Sequence, residues 1–255
     1  MTRILETSEL LTIYAPATKR LHLYDYDGTL TPIVDNAARA ILSDLHISLL
    51  KTLANHPHNT VWVISGRDQA FLQAQLGSLT NIGLVAEHGA FMRRPQSSEW
   101  ENLATEADMS WKATVRQVME TFESHHPGSF IEEKRVATVL HYRNVEQQGP
   151  AEKDAIDCKK SLEKALENWD VEFMSGKCVL EARPTNVDKG QIVRRIVGEM
   201  EHTMGCSPDF VFCIGDDVTD EGKERLSSPF SSHTQSPTIV LQHHVLRGLY
   251  YRDRI

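Results

Sequence analysis

Little in this 255-residue sequence suits a chain that grips polyanions, crosses a bilayer or depends on disulfides. Lysine and arginine number 27 against 35 aspartates and glutamates, a formal net charge of -8. That balance repels a phosphate backbone and excludes broad nucleic-acid or anionic-lipid binding, while leaving room for one local basic pocket. Only four cysteines occur, Cys158, Cys178, Cys206 and Cys213, with no CxxC pair and no histidine at zinc-finger spacing. Neither a zinc module nor a disulfide framework is expected, and reduced thiols in a cytoplasmic protein are. No apolar run reaches the ~20 residues that a membrane span needs. Glu6 and Glu9 interrupt the stretch where an export signal would need unbroken apolar residues.

What is present is a globular composition, 40% hydrophobic and 24% charged. A chain of this length buries roughly 70 to 75% of the surface its unfolded form exposes, so its core needs no covalent staple. At both ends, short apolar runs alternate with helical spacing. Leu21 to Tyr26, Thr60 to Ile64, Ile82 to Ala86, Phe210 to Ile214 and Thr238 to Leu241 read as buried strands. Between them, Ser43 caps a helix carrying Leu45, Leu49, Leu50 and Leu53. Phe71, Leu72 and Leu76 suit a second helix that Gly77 ends in the left-handed conformation, and Ile192, Val193, Ile196, Val197 and Met200 mark a third. Strands apolar on both faces and separated by helices imply an α/β fold, a doubly wound Rossmann-like parallel sheet covered on both sides.

The middle of the chain differs. Trp111, Val115, Val118, Met119 and Phe122 give one amphipathic helix, and Ile156, Leu162, Ala165, Leu166 and Trp169 another. Val136 to Tyr142 and Val171 to Leu180 read as antiparallel strands with mixed faces. The expectation is a smaller α/β module, residues 92–184, inserted into a core made of 1–91 and 185–255. Ser227 to Pro237, rich in serine and proline, reads as a loop.

Polar clusters follow the predicted sheet strands, where doubly wound folds bind their ligands. Asp25-Tyr26-Asp27-Gly28-Thr29 could suggest a calcium loop, but the twelfth position from Asp25 is Asn36 where an EF-hand needs glutamate. Ser65-Gly66-Arg67 follows the second strand, Glu87-His88-Gly89 the third, and Gly215-Asp216-Asp217-Val218-Thr219-Asp220-Glu221 the strand at Phe210. Asp188-Lys189-Gly190 opens a helix. Each cluster alone is a common turn or cap. Together, several carboxylates with one lysine and a strand-end serine form a site for a hard divalent cation and a phosphate, and oxygen ligands select Mg²⁺.

On these motifs the sequence resembles the haloacid dehalogenase (HAD) superfamily. It is closer still to the trehalose-6-phosphate phosphatases through Ala86-Glu87-His88-Gly89-Ala90, Glu132-x-Lys134, His141-Tyr142-Arg143 and Leu180-Glu181-Ala182-Arg183-Pro184. The resemblance runs from about Leu21 to Leu241 and implies a Mg²⁺-dependent hydrolysis of trehalose 6-phosphate, the last step of trehalose biosynthesis. It implies Asp25 as nucleophile, Asp27 as general acid and then base, and Ser65 and Lys189 as holders of the phosphate. It further implies Asp25, the Asp27 carbonyl and Asp216 around the metal, with Asp217 and Asp220 in support. Substrate contacts would come from Arg67, His88, Glu132, Lys134, Arg143, Lys177 and Glu181. The partner expected is a small-molecule sugar phosphate, and in relatives the domain follows a synthase-like domain, so this chain is compatible with an excised portion of something longer. A phosphatase of another sugar, such as sucrose phosphate, stays open as a second reading. A phosphorylated receiver module is less suited, being much shorter and having no inserted module.

Overall fold

The computed structural model describes residues 2–4, 7–34, 39–104, 108–215, 238–242 and 250–252. It divides into two compact units, one of residues 1–103 with 188–255 and one of 104–187. The first begins with β1 (Thr2–Ile4), α1 (Thr7–Tyr14), β2 (Arg20–Tyr24), α2 (Asp44–Ala54), β3 (Asn59–Ile64) and α3 (Gln69–Leu76). It continues through β4 (Ile82–Ala86), a 3-10 turn (Glu87–Gly89), β5 (Phe91–Arg93) and β6 (Glu101–Asn102). The second unit runs α4 (Trp111–His125), β7 (Phe130–Glu133), β8 (Thr138–His141), α5 (Gln148–Ala165), β9 (Val171–Gly176) and β10 (Val179–Pro184). The chain then returns to the first unit with α6 (Lys189–Met204), β11 (Phe210–Gly215), β12 (Thr238–Gln242) and β13 (Tyr250–Arg252).

The first unit is built on one sheet ordered β1-β13-β12-β11-β2-β3-β4-β5-β6. Its centre, β12 to β4, is parallel, and the antiparallel strands lie towards the two edges. Side chains alternate along β2. Leu21 and Leu23 pack with Trp62, Ile64 and Val85 against Ile192, Val193, Ile196 and Val197 of α6. On the other face Phe210 packs with Ala17, and Leu10, Ile13 and Tyr14 of α1 lie against them. The sheet thus has a helix on each face, and β2, the first central strand, has β3 on one side and β11 on the other. That is the switch point at which such sheets open a crevice beyond their carboxyl ends.

The sequence boundaries of 92 and 184 differ from the unit boundaries of 104 and 187, by 12 residues at the first join and 3 at the second. β5 and β6 extend the large sheet, and Arg94 ties them to α6 by bonding Glu199 at 2.7 and 2.9 Å and Glu101 at 2.6 Å. α2 starts as expected, with the Ser43 hydroxyl accepting from the His46 amide, yet Leu45 and Leu49 of that helix are 66% and 57% exposed. Gly77 is right-handed, at φ -59 and ψ -29, contrary to the left-handed stop expected of it. Its lack of a side chain serves close packing instead, because a Cβ there would stand 2.3 Å from the Gln73 carbonyl.

The second unit is a four-stranded antiparallel sheet, β7-β8-β10-β9, with a core shared between α4 and α5. Trp111, Val115, Met119 and Phe122 from α4 meet Ala155, Cys158 and Leu162 from α5 over Leu140 and Leu180. The single stretch read as strand from Val171 to Leu180 is a hairpin, β9 and β10, reversed around Cys178 at φ 61. α5 begins at Gln148 and ends before Trp169, and Ile156 is exposed on it. The loop expected at Ser227 to Pro237 lies outside the described residues. Among the described residues no helix is long and apolar enough to cross a membrane.

Candidate active site

Asp25 is the first residue beyond β2, and its amide still bonds the Ile214 carbonyl of β11 at 3.0 Å. The side chain is therefore presented at the switch point from a backbone locked into the sheet. Its Oδ1 lies 2.7 Å from Lys189 Nζ, and the two side chains are only 7% and 3% exposed. Lys189 opens α6, where Asp188 is the N-cap and accepts from the Gln191 amide at 2.9 Å. A cation in the first turn opposes the helix dipole, and burying it costs more, so nothing in helix formation selects a lysine here. The buried carboxylate of Asp25 is its compensation.

Two residues on, the chain turns sharply. The amides of Leu30 and Thr31 both bond the Tyr26 carbonyl, and Gly28 takes φ 76. Asp27 sits on this turn and meets Arg67, whose Nε and Nη2 lie 2.7 and 2.6 Å from its two carboxylate oxygens. The guanidinium lies over the Phe71 ring at 4.4 Å, and Phe71 meets the buried Tyr26 edge-on at 5.3 Å. The arginine is held by a two-point fork and an aromatic floor, a geometry lysine cannot copy. Burial first, and then the Asp27 carboxylate, pushes the Tyr26 phenol up to about 12. It stays neutral and donates to the Ala40 carbonyl at 2.8 Å.

Ser65 follows β3, is 1% exposed, and has its amide on the Val85 carbonyl of β4. Its hydroxyl accepts from the Arg67 amide at 3.1 Å. His88 stands on the 3-10 turn that follows β4, and its imidazole lies against Gly66. The structure thus brings Asp25 to Lys189, Asp27 to Arg67, and His88 to the turn bearing Ser65. It pairs Arg67 with a carboxylate, where the sequence assigned it to substrate. Phe71, the floor under Arg67, was read from the sequence only as a helix residue, although its i+4 spacing from Arg67 was visible there. Asp216, Asp217 and Asp220 lie outside the described residues; the last described residue before them, Gly215, ends β11 beside the end of β2.

In the second unit, Glu132 on β7 and Glu181 on β10 both stand opposite Val139 of β8, so they share one row across three strands. Leu140, one residue along, joins the core under α4 and α5, which puts both glutamates on the face turned away from those helices. His141, missed as a candidate, has its Nε2 2.8 Å from Glu132 and its ring stacked on Phe130 at 4.6 Å. Arg143 follows β8 and reaches the carbonyl of Lys177, in the β9–β10 turn, at 3.5 Å. Lys134 lies at the opposite end of the β7–β8 pair, its amide on the Ala137 carbonyl.

Among the described residues, no group of three histidine, cysteine, aspartate or glutamate side chains gathers to hold a metal. Among the described residues, the Asp25 carboxylate at the switch point offers hard oxygen donors, the type that hard divalent cations take in place of nitrogen or sulfur.

Comparison with known proteins gives one consistent family. The trehalose-phosphatase family model matches residues 23–239. The chain is 45% identical over 212 residues to the trehalose-phosphatase of Schizosaccharomyces pombe, and 46% identical over 236 residues to that of Saccharomyces cerevisiae. These matches cover 83% and 87% of this chain and 26% of each relative, so the chain spans about a quarter of the length of the curated relatives it matches. Among solved structures, it is similar to the C-terminal domain of the Candida albicans trehalose-6-phosphate phosphatase at TM-score 0.82 and 42% identity. That alignment covers 89% of this chain and 81% of the other.

Proposed function

The chain belongs to the trehalose-phosphatase family, and from that membership we propose that it hydrolyses trehalose 6-phosphate to trehalose and phosphate through an aspartyl-phosphate. The observation that carries the reading is the buried Asp25 held by Lys189 at the sheet's switch point. A phosphate monoester resists attack because it is anionic. The site must neutralise it, align a nucleophile and protonate the departing alkoxide.

In the proposed reaction an Asp25 carboxylate oxygen attacks phosphorus as the bond from phosphorus to the sugar oxygen breaks, and Asp27 gives that oxygen its proton. Asp27, now a carboxylate, takes a proton from water, which attacks the acyl phosphate. The phosphorus–Asp25 bond breaks, releasing phosphate and restoring both residues. Lys189 and Ser65 would hold the phosphoryl oxygens. Arg67 donates to both Asp27 oxygens in the structure, so one side of that fork has to open for the freed oxygen to carry the proton that it gives to the sugar oxygen. Mg²⁺, held by Asp25, the Asp27 carbonyl and Asp216 with Asp217 and Asp220 in support, would neutralise charge on the phosphoryl oxygens.

The sugar would be read by Glu132, Lys134, Arg143, Lys177 and Glu181. Disaccharide hydroxyls suit charged groups that make paired contacts, and a smaller sugar would leave those groups unpaired. Relatives named as a bifunctional trehalose-6-phosphate synthase/phosphatase and as a trehalose-phosphate synthase support a synthase-like partner, fused or associated. Phosphate release with Mg²⁺ from trehalose 6-phosphate, sucrose 6-phosphate, glucose 6-phosphate and p-nitrophenyl phosphate tests the reading. A kcat/KM for trehalose 6-phosphate well above the other sugars supports it, and preference for sucrose 6-phosphate overturns the substrate assignment.

A further inference from the structure

Among the described residues, the 3-10 turn Glu87-His88-Gly89 holds three successive residues at positive φ. Glu87, His88 and Gly89 take φ 46, 56 and 125 in succession, and for each of the two residues bearing a side chain the left-handed region costs about 1–2 kcal/mol. Something must hold the chain there. The Glu87 amide bonds the Arg67 carbonyl at 2.9 Å, and the His88 amide bonds the Ser65 carbonyl at 3.0 Å. The His88 ring then closes on the residue between them: a Cβ on Gly66 would stand 2.4 Å from its Nε2. On the other side, a Cβ on Gly89 would lie 3.2 Å from the carbonyl of Asp188, the cap before Lys189. One strained turn therefore abuts both the segment bearing Ser65 and Arg67 and the start of the helix bearing Lys189.

We propose that His88 is a positioning residue for the reaction: its imidazole, seated on Gly66, fixes the Ser65-Gly66-Arg67 turn and through Arg67 the orientation of Asp27. The sequence left His88 two readings, a sugar contact or a residue that orders its loop. The geometry instead gives it neighbours that hold phosphate and orient the general acid, so its influence is on turnover and not on sugar affinity. This rests on the phosphatase reading above and deepens it.

The test uses variants that accept a left-handed backbone, His88→Asn and His88→Gly, so that loss of the ring is not confused with loss of the fold. Circular dichroism and thermal unfolding confirm folding before kinetics with trehalose 6-phosphate and p-nitrophenyl phosphate. Both variants are expected to lose roughly 10-fold to 100-fold in kcat on both esters, the scale of a misplaced catalytic group, with KM for trehalose 6-phosphate within about twofold. Gly66→Ala supplies the second arm. In the wild-type background its methyl displaces the ring and kcat falls roughly 10-fold; in the His88→Gly background the further loss shrinks to about twofold, because the methyl has room. A raised KM for trehalose 6-phosphate with p-nitrophenyl phosphate turnover intact overturns the proposal in favour of a sugar contact. Additive losses from Gly66→Ala and His88→Gly overturn it as well. A wild-type chain that turns over neither ester overturns the phosphatase reading itself, which an active wild type with unaffected His88 variants does not.

Discussion

Arg67 holds Asp27 by both carboxylate oxygens, at 2.7 and 2.6 Å, while its own plane rests on Phe71. The residue proposed to shuttle the proton is thus aimed by a planar fork that is itself held on an aromatic ring. Arg67→Lys keeps the charge but loses the fork and the stacking. It is expected to cut the first-turnover rate of phosphoenzyme formation from trehalose 6-phosphate roughly 100-fold and from p-nitrophenyl phosphate by less, since a nitrophenolate leaves unprotonated. Single-turnover kinetics on the two esters checks this, and equal first-turnover losses would mean that Arg67 does not act through the acid.

Asp27→Asn removes the acid while keeping the shape and the main-chain carbonyl. In single-turnover experiments it is expected to form phosphoenzyme from p-nitrophenyl phosphate far faster than from trehalose 6-phosphate, and the intermediate should persist for want of a base. Asp25→Asn should form none from either ester. The same loss of first-turnover rate on both esters in Asp27→Asn would show that Asp27 acts chiefly elsewhere.

Lys189→Met leaves the Asp25 carboxylate buried with its cation gone. Removing one partner of a buried pair costs about 3–5 kcal/mol, much of it the penalty of the charge left behind. Urea unfolding should show that loss, and the double variant Lys189→Met with Asp25→Asn should recover a substantial part of it. No recovery in the double variant would locate the lysine's contribution in packing.

His22 carries a pH dependence distant from the chemistry. It is 3% exposed on β2 among Tyr14, Tyr24, Phe210 and Phe212. Burial, with the charge of Arg20 adding to it and the Asn59 contact opposing it, pulls its pKa from 6.5 down to about 4. The unfolded chain therefore binds a proton where the folded chain does not. This contribution is fully present above pH 6.5 and is lost progressively as the pH falls to 4, by about 3 kcal/mol in all. Urea midpoints at pH 7.5, 5.5 and 4.5 should fall less steeply for His22→Leu than for the wild type.

Glu181→Ala and Arg143→Ala are expected to lower kcat/KM for trehalose 6-phosphate by roughly 100-fold, while p-nitrophenyl phosphate turnover stays within about threefold. Parallel losses on the two esters would assign these residues to the fold of their unit.

The central strands and their order of appearance were legible because burial on both faces leaves continuous apolar runs such as those at Thr60 and Ile82, and polar residues begin where each run stops. α6 was legible for a related reason: Ile192, Val193, Ile196, Val197 and Met200 are all buried, so spacing and environment agree. Leu45 and Leu49 show the limit of periodicity, which reports a stripe without saying that anything covers it. β5 and β6 are short edge strands, and they are anchored by the ion pairs of Arg94 and Arg195 with Glu101 and Glu199, which no local pattern announces. The β9–β10 reversal was hidden because Cys178, and not a glycine or asparagine, takes the left-handed position. In the site, residue types and strand ends named Asp25, Asp27, Ser65 and Lys189. The Arg67–Asp27 fork and the seat of His88 on Gly66 depend on side chains meeting across separate strands, and sequence spacing is silent on that.

The chain leaves the first unit after Leu103 and re-enters it at Asp188. Asp25, Asp27, Ser65 and Arg67 are all encoded before this excursion, and Lys189 immediately after it. To the large sheet, the whole second unit is a single long loop, and the entropy of closing a loop grows only with the logarithm of its length. Doubling the length of such a loop changes the closure term by only about 0.6 kcal/mol. The residues proposed for the chemistry are thus encoded on either side of the excursion, and Glu132, Lys134, Arg143, Lys177 and Glu181, proposed to read the sugar, all lie within it.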